Sequence, residues 1–142
     1  MGGHRREYAI LDDLLAEGEE VGMEIREHRL GGGRILAPAH AFATDRRIII
    51  VRCDIFGMSH SVKMIRYEHI TEVKMERGMG YCRLHFSLIG EQQESQENIK
   101  WITGIYYKDA IMLIQFINGV HAKSYSKIKS SGSAPHIMPL MR

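Results

Sequence analysis

From Ala41 to Val51 the chain runs apolar, polar, apolar. Ala41, Phe42 and Ala43 lead into Thr44-Asp45-Arg46-Arg47, and Ile48-Ile49-Ile50-Val51 follow. Thr and Asp side chains bend a backbone by hydrogen-bonding to it, and β-branched residues suit a pleated, half-buried surface. The stretch predicts two antiparallel strands joined at a polar corner. A second corner is predicted at Tyr67-Glu68-His69-Ile70-Thr71-Glu72-Val73. Before the first corner, Val21, Met23 and Ile25 alternate with Gly22, Glu24 and Arg26, which reads as a strand, although the Glu-rich flank also permits a helical continuation. Gly31-Gly32-Gly33 is too costly to order inside an element and marks a turn. Further strands are expected over 35–44, 46–53, 60–67, 70–77, 81–88 and 99–106, with Pro38 placing part of its strand at an edge or bulge. Seven strands with turns at near-regular spacing indicate a barrel or sandwich.

Two segments carry helical spacing instead. Tyr8, Leu11, Leu14 and Leu15 recur on one face between residues 5 and 16, Ile10 extends that face, and Gly18 offers a stop. A helix this short and acidic needs a surface to lie on, either its own sheet or a neighbouring subunit. The second helix is expected over 108–118, with Ala110, Leu113, Ile114 and Ile117 on one face, Phe116 and Val120 widening it and Gly119 capping it. It is suited to plugging an open end of a barrel. From residue 123 onward, Ser130-Ser131-Gly132-Ser133 and two prolines predict an extended or flexible tail. The expected division is an N-terminal helix over 1–18, a β-rich domain over 19–122 and a tail over 123–142.

Composition fits one globular domain: 142 residues, 44% apolar and 25% charged. The net charge of +2 hides an asymmetry, because residues 1–28 hold three Arg against eight acids, giving −5, and the remainder holds sixteen Lys or Arg against nine acids, giving +7. The acidic segment of one copy could meet the basic body of another, or both could be solvated surfaces. A pI near 8.6 without a dense basic stripe argues against a nucleic-acid partner. An N-terminus without an apolar h-region, no run near the ~20 apolar residues of a membrane span, and only two cysteines point to a reduced cytoplasm.

Candidate chemistry is sparse. The eight histidines form no HxH, HExxH or His-Cys cluster, so neither a metal nor another cofactor is expected. Cys53 and His60 flank one hairpin, too few ligands for a closed site. Cys82 and His85 lie three apart on a strand and face opposite sides, and His69 with Glu72 is only a local pair. No catalytic constellation results. Arg46 or Arg47 should point outward and pair with Asp45 or Glu68. Met64 and Met75 are expected in the core, whereas Met58 and Met79 fall at turns, where exposure would favour a partner contact.

The two corner motifs, the seven strands and the C-terminal helix together resemble the bacterial pleckstrin-homology-like domains, nearest the YokE-like group, over roughly residues 19 to 120. The positions that carry the resemblance are Thr44, Asp45, Arg46 and Arg47, then Tyr67, Ile70 and Val73. It implies a mainly β fold with α, a seven-stranded, partly open antiparallel barrel capped by one C-terminal helix. It also implies a non-enzymatic binding or assembly module, often self-associating through sheet edges, whose partner is a second copy or another protein. Tyr8, Leu11, Leu14, Leu15 and Pro38 are the candidate assembly residues. The alternative is a peripheral membrane or anionic-headgroup binder, for which Arg26, Arg29, Gly31, Gly32, Gly33 and Arg34 form the candidate anion cradle, with His28 nearby and a sparser basic spacing than a phosphoinositide site.

Overall fold

β-Branched and small apolar residues in the first corner motif produce two strands that are buried on both faces. These are β2 (Ala39–Thr44) and β3 (Arg47–Cys53), the middle pair of a four-stranded antiparallel sheet whose edges are β1 (Val21–Arg26) and β4 (His60–Arg66). A computed structural model describes residues 5–28, 38–54, 59–90 and 101–130, the side chains of Arg5 and of 122–130 excepted. A short 3₁₀ turn, Tyr67–His69, leads into a second antiparallel sheet of β5 (Ile70–Arg77), β6 (Tyr81–Leu88) and β7 (Trp101–Tyr106). The described residues are therefore mainly β, seven strands in two sheets, with helix α1 (Arg5–Leu14) before them and α2 (Tyr107–Ser130) after them.

Strand alternation sorts the side chains into two cores. On the inner face Ile48 and Ile50 meet Ile25, Ala41, Ile65 and, from the second sheet, Val73, Leu84 and Phe86. Ala110, Leu113, Ile114 and Ile117 of α2 close this core, as their spacing predicts. On the outer face of the first sheet Phe42, Ile49, Val51 and Cys53 would meet water, but Leu11 of α1 covers them. Burying each large side chain in these clusters is worth about 1.5–3 kcal/mol.

The sheets are stitched where β1 runs out. The backbone N–H of His28 donates to the carbonyl of Gly104 at 2.8 Å. Glu27, only 2% exposed, accepts from the backbone N–H groups of Ala39 (2.8 Å) and Thr103 (3.0 Å) and from the Arg52 guanidinium (3.0 Å). One carboxylate thus ties β2, β3 and β7 to the end of β1.

Several expectations are corrected. Pro38 does not lie on an edge strand: it precedes β2, which has neighbours on both sides. Gly119 does not end the last helix. It is exposed, its φ is not positive, and α2 continues through it to Ser130, so the tail expected from residue 123 is helical as far as 130; residues 131–142 lie outside the described residues. Met64 is 45% exposed on β4, because its position in the alternation puts it outside beside Arg47. The turn at 31–33 and the loop residues 91–100 lie outside the described residues.

Candidate functional site

The two sheets differ on their outer faces. The first is roofed by α1, whereas no described element covers the second. Along β6 the buried residues Cys82, Leu84 and Phe86 alternate with Tyr81, Arg83 and His85, which face out. Register places Tyr81 opposite Tyr106 and His85 opposite Trp101 on β7, and Lys74 and Glu76 of β5 opposite His85 and Arg83. The outward side chains form one strip. The Arg83 guanidinium lies over the Trp101 ring at 5.1 Å, His85 packs on the same ring at 4.3 Å, and Tyr81 stacks on Tyr106 at 5.5 Å. His28, at the end of β1, adds a ring 4.3 Å from Tyr106. Glu76 lies 3.9 Å from Arg83 and 4.0 Å from Lys74, so charges of both signs alternate beside the aromatics.

Beneath α1 a polar cluster completes the apolar contact. Tyr8 donates to the Glu24 carboxylate at 2.7 Å, and the buried His40 ring bonds the same oxygen. His40 also stacks on Phe42 at 4.4 Å. Burial lowers the His40 pKa despite the carboxylate beside it. Burial alone would raise that of Glu24, but the hydrogen bonds from Tyr8 and His40 outweigh it and the net shift is downward. The bond to Glu24 raises the Tyr8 phenol.

At the other end of α1 sits the first corner motif. Thr44 Oγ1 accepts from the backbone N–H groups of Arg46 and Arg47, both at 3.0 Å, and donates to Glu19 at 2.7 Å. Arg47 grips Glu19 with two bonds of 3.0 and 2.9 Å and donates to the Leu14 carbonyl at 2.7 Å. The second motif joins it, since the Tyr67 hydroxyl donates to the Thr44 carbonyl at 2.7 Å. A family model described as bacterial PH domain matches residues 15–118, a span that holds both corners and the seven described strands.

The chain belongs to the bacterial PH domain family.

No curated protein and no solved structure matches it. In this PH domain the predicted assembly residues split. Leu11 is buried, and Leu14 and Leu15 are half-buried, against the chain's own sheet; Tyr8 is 38% exposed and bonded to Glu24; Pro38 immediately precedes the interior strand β2. Of the predicted anion cradle only Arg26 is described, on the α1 side of β1 close to Tyr8 and Glu24, where its positive charge acts on both. Arg29, Gly31, Gly32, Gly33 and Arg34 lie outside the described residues.

Arg46 pairs loosely with Asp45 at 3.9 Å, as expected, but Arg47 pairs with Glu19, a partner 28 residues away that local reading could not supply. Cys53 and His60 do face each other across β3 and β4, yet among the described residues no three metal-type ligands come together. Among those residues no helix is long and apolar enough to cross a membrane. The strip on the second sheet also escaped the sequence reading. Its signal was present in the polar half of the β6 alternation, where Arg83 and His85 interleave with core residues.

Proposed function

We propose that this PH domain is a non-catalytic binding module that pairs with a second copy of itself through the outer face of β5, β6 and β7. The supporting observation is the strip of Trp101, Arg83, His85, Tyr81 and Tyr106, which no described element covers. Trp, Tyr and Arg dominate the binding energy of protein interfaces because they bury large, semi-rigid surfaces at little entropic cost. The accompanying charges favour a like partner. Lys74, Glu76 and Arg83 alternate in sign, so a two-fold axis can bring Glu76 of one copy to Lys74 or Arg83 of the other, while a uniformly anionic surface would find Glu76 in its way. The sheet edges are poorer candidates. β4 carries exposed Lys63 and Arg66, and charged edge residues oppose strand addition.

The test is solution mass by size exclusion with light scattering across a concentration series, with the emission of Trp101, the single tryptophan, recorded in parallel. A multiple of 16.3 kDa that falls to the monomer in Glu76→Arg and returns in Glu76→Arg/Arg83→Glu supports the proposal. A wild-type monomer at every concentration overturns it. Flotation of that monomer with anionic but not neutral vesicles, weakening with salt, would replace it with headgroup binding.

A further inference from the structure

We infer that α2 carries an acid-operated hinge: when His121 takes up a proton, the helix parts at Gly119 and the segment 120–130 leaves the 3₁₀ turn between the two sheets, while the first half stays docked. The device is separate from the strip on the second sheet. Three observations carry it.

First, the anchorage of α2 is lopsided. Ala110, Leu113, Ile114 and Ile117, the residues that close the inner core, all precede Gly119. Beyond it the described side chains are Val120 and His121, both half-buried, so little apolar contact there resists opening.

Second, the folded helix has no use for glycine at 119. Its φ is not positive, and a Cβ built on it meets nothing within 4 Å among the described residues, its own helix backbone apart. Glycine is the poorest helix former after proline, and here neither packing nor backbone geometry calls for it. What it supplies is a weak point between the buried face of α2 and the contact with the turn.

Third, His121 is seated for its neutral form. Its Nε2 is buried with no hydrogen-bond partner. In the neutral ring that atom can be an unpaired acceptor, whereas in the cation it is an N–H buried without an acceptor beside a net charge, which costs more. Burial lowers the His121 pKa and outweighs a hydrogen bond to the backbone of Tyr67 and the field of Glu68, both of which favour the cation. Glu68 is exposed and shares its charge with Arg66 at 3.8 Å. Among the described residues no charge on β1, β5, β6 or β7 acts on the ring, and the sequence of 122–130 holds Lys123, Lys127 and Lys129 but no acid. Docked His121 therefore binds a proton more weakly than released His121. Its hold on the turn is complete above the ordinary imidazole value of 6.5 and fades as pH falls below it.

Amide exchange of the full-length chain at pH 7.5 and 5.5, corrected for the intrinsic pH dependence of exchange, reads the hinge directly. Protection at 120–126 should fall by up to about tenfold at the lower pH, the ratio for a released imidazole titrating near its ordinary value, while 110–117 and β3 keep theirs. His121→Gln should abolish that fall, and Gly119→Ala should raise protection at 120–126 about fivefold at both pH values. No fall in wild type, or the same fall in His121→Gln, overturns the proton dependence. A fall shared by 110–117, or no gain in Gly119→Ala, overturns the hinge. Should a substitution loosen the whole domain, seen as lost protection in β3, the imidazole NMR titration of wild-type His121 decides. Exchange at 120–126 that follows its midpoint supports the inference, and exchange that ignores it overturns it.

Discussion

The hydroxyl of Tyr67 donates a 2.7 Å hydrogen bond to the backbone carbonyl of Thr44, 23 residues earlier in the chain. Thr44 belongs to the corner between β2 and β3, and Tyr67 opens the 3₁₀ turn between the two sheets, so this bond fixes one corner relative to the other. Tyr67 is 2% exposed, and burial raises its pKa well above the usual phenol value, so it stays a donor throughout the accessible pH range. The Thr44 side chain meanwhile organises Arg46, Arg47 and Glu19. The two motifs by which the sequence resembles its family are therefore one structural unit.

Tyr67→Phe keeps the ring in the core and removes only the hydroxyl, leaving a buried carbonyl short of a donor. A loss of about 1–2 kcal/mol in urea unfolding is expected, with an unchanged m-value. A neutral result would mean that the carbonyl finds another donor and that the link between corners is dispensable.

What was legible in the sequence was what is decided locally. Thr44 and Asp45 bend the chain wherever it goes, the run Ile48 to Val51 must lie in a pleated sheet, and Ala110, Leu113, Ile114 and Ile117 mark a buried helix face by spacing alone. What escaped was decided by register. Glu19 and Glu27 sit in a Glu-rich stretch that reads as solvated, and only strand pairing brings Arg47 and Arg52 to them across 28 and 25 residues. Gly119 misled for the opposite reason: glycine permits a helix end without requiring one, and Val120 and His121 continue the half-buried face.

Glu19 should make the fold acid-sensitive. Its two bonds from Arg47 come first among the causes that pull its pKa from 4.5 to about 2, opposed by burial and aided by Ala16 and Thr44. The folded carboxyl binds protons more weakly than the unfolded one, so its contribution is complete above pH 4.5 and disappears as pH falls toward 2. The full contribution is on the order of 3 kcal/mol. Urea midpoints measured between pH 6 and pH 3 should fall in wild type, with a smaller fall in Glu19→Gln, which begins from a less stable state. Parallel slopes in the two proteins would refute the assignment.

Glu27 is the costlier carboxylate to lose. Removing it takes a carboxylate from the Arg52 guanidinium and leaves two backbone N–H groups short of an acceptor where β1, β2, β3 and β7 meet. Glu27→Ala is expected to cost about 3–5 kcal/mol, more than Tyr67→Phe, and to bring early amide exchange to Ala39 and Thr103. An effect below about 1 kcal/mol would show that water replaces the carboxylate and that the stitch between sheets lies elsewhere.

Gly22 and Phe116 set the seat of α2 on β1. A Cβ on Gly22 would lie 2.5 Å from Cε2 and 2.8 Å from Cζ of the Phe116 ring, closer than carbon atoms approach. The backbone itself does not require glycine, since Gly22 is not among the positive-φ glycines, so the constraint is the ring. Gly22→Ala must turn Phe116 away from β1, at a cost of about 1–3 kcal/mol. Removing the ring should remove the cost. In a Phe116→Ala background the same alanine is freed of the close ring contacts and also restricts the unfolded chain, which by itself stabilises by about 0.4–1 kcal/mol. The two-mutation cycle is therefore expected to show a coupling above about 1 kcal/mol, with the sign of Gly22→Ala reversing between backgrounds. Equal effects in both would place the strain in the strand, and α2 would then owe its position to Leu113 and Ile117 alone.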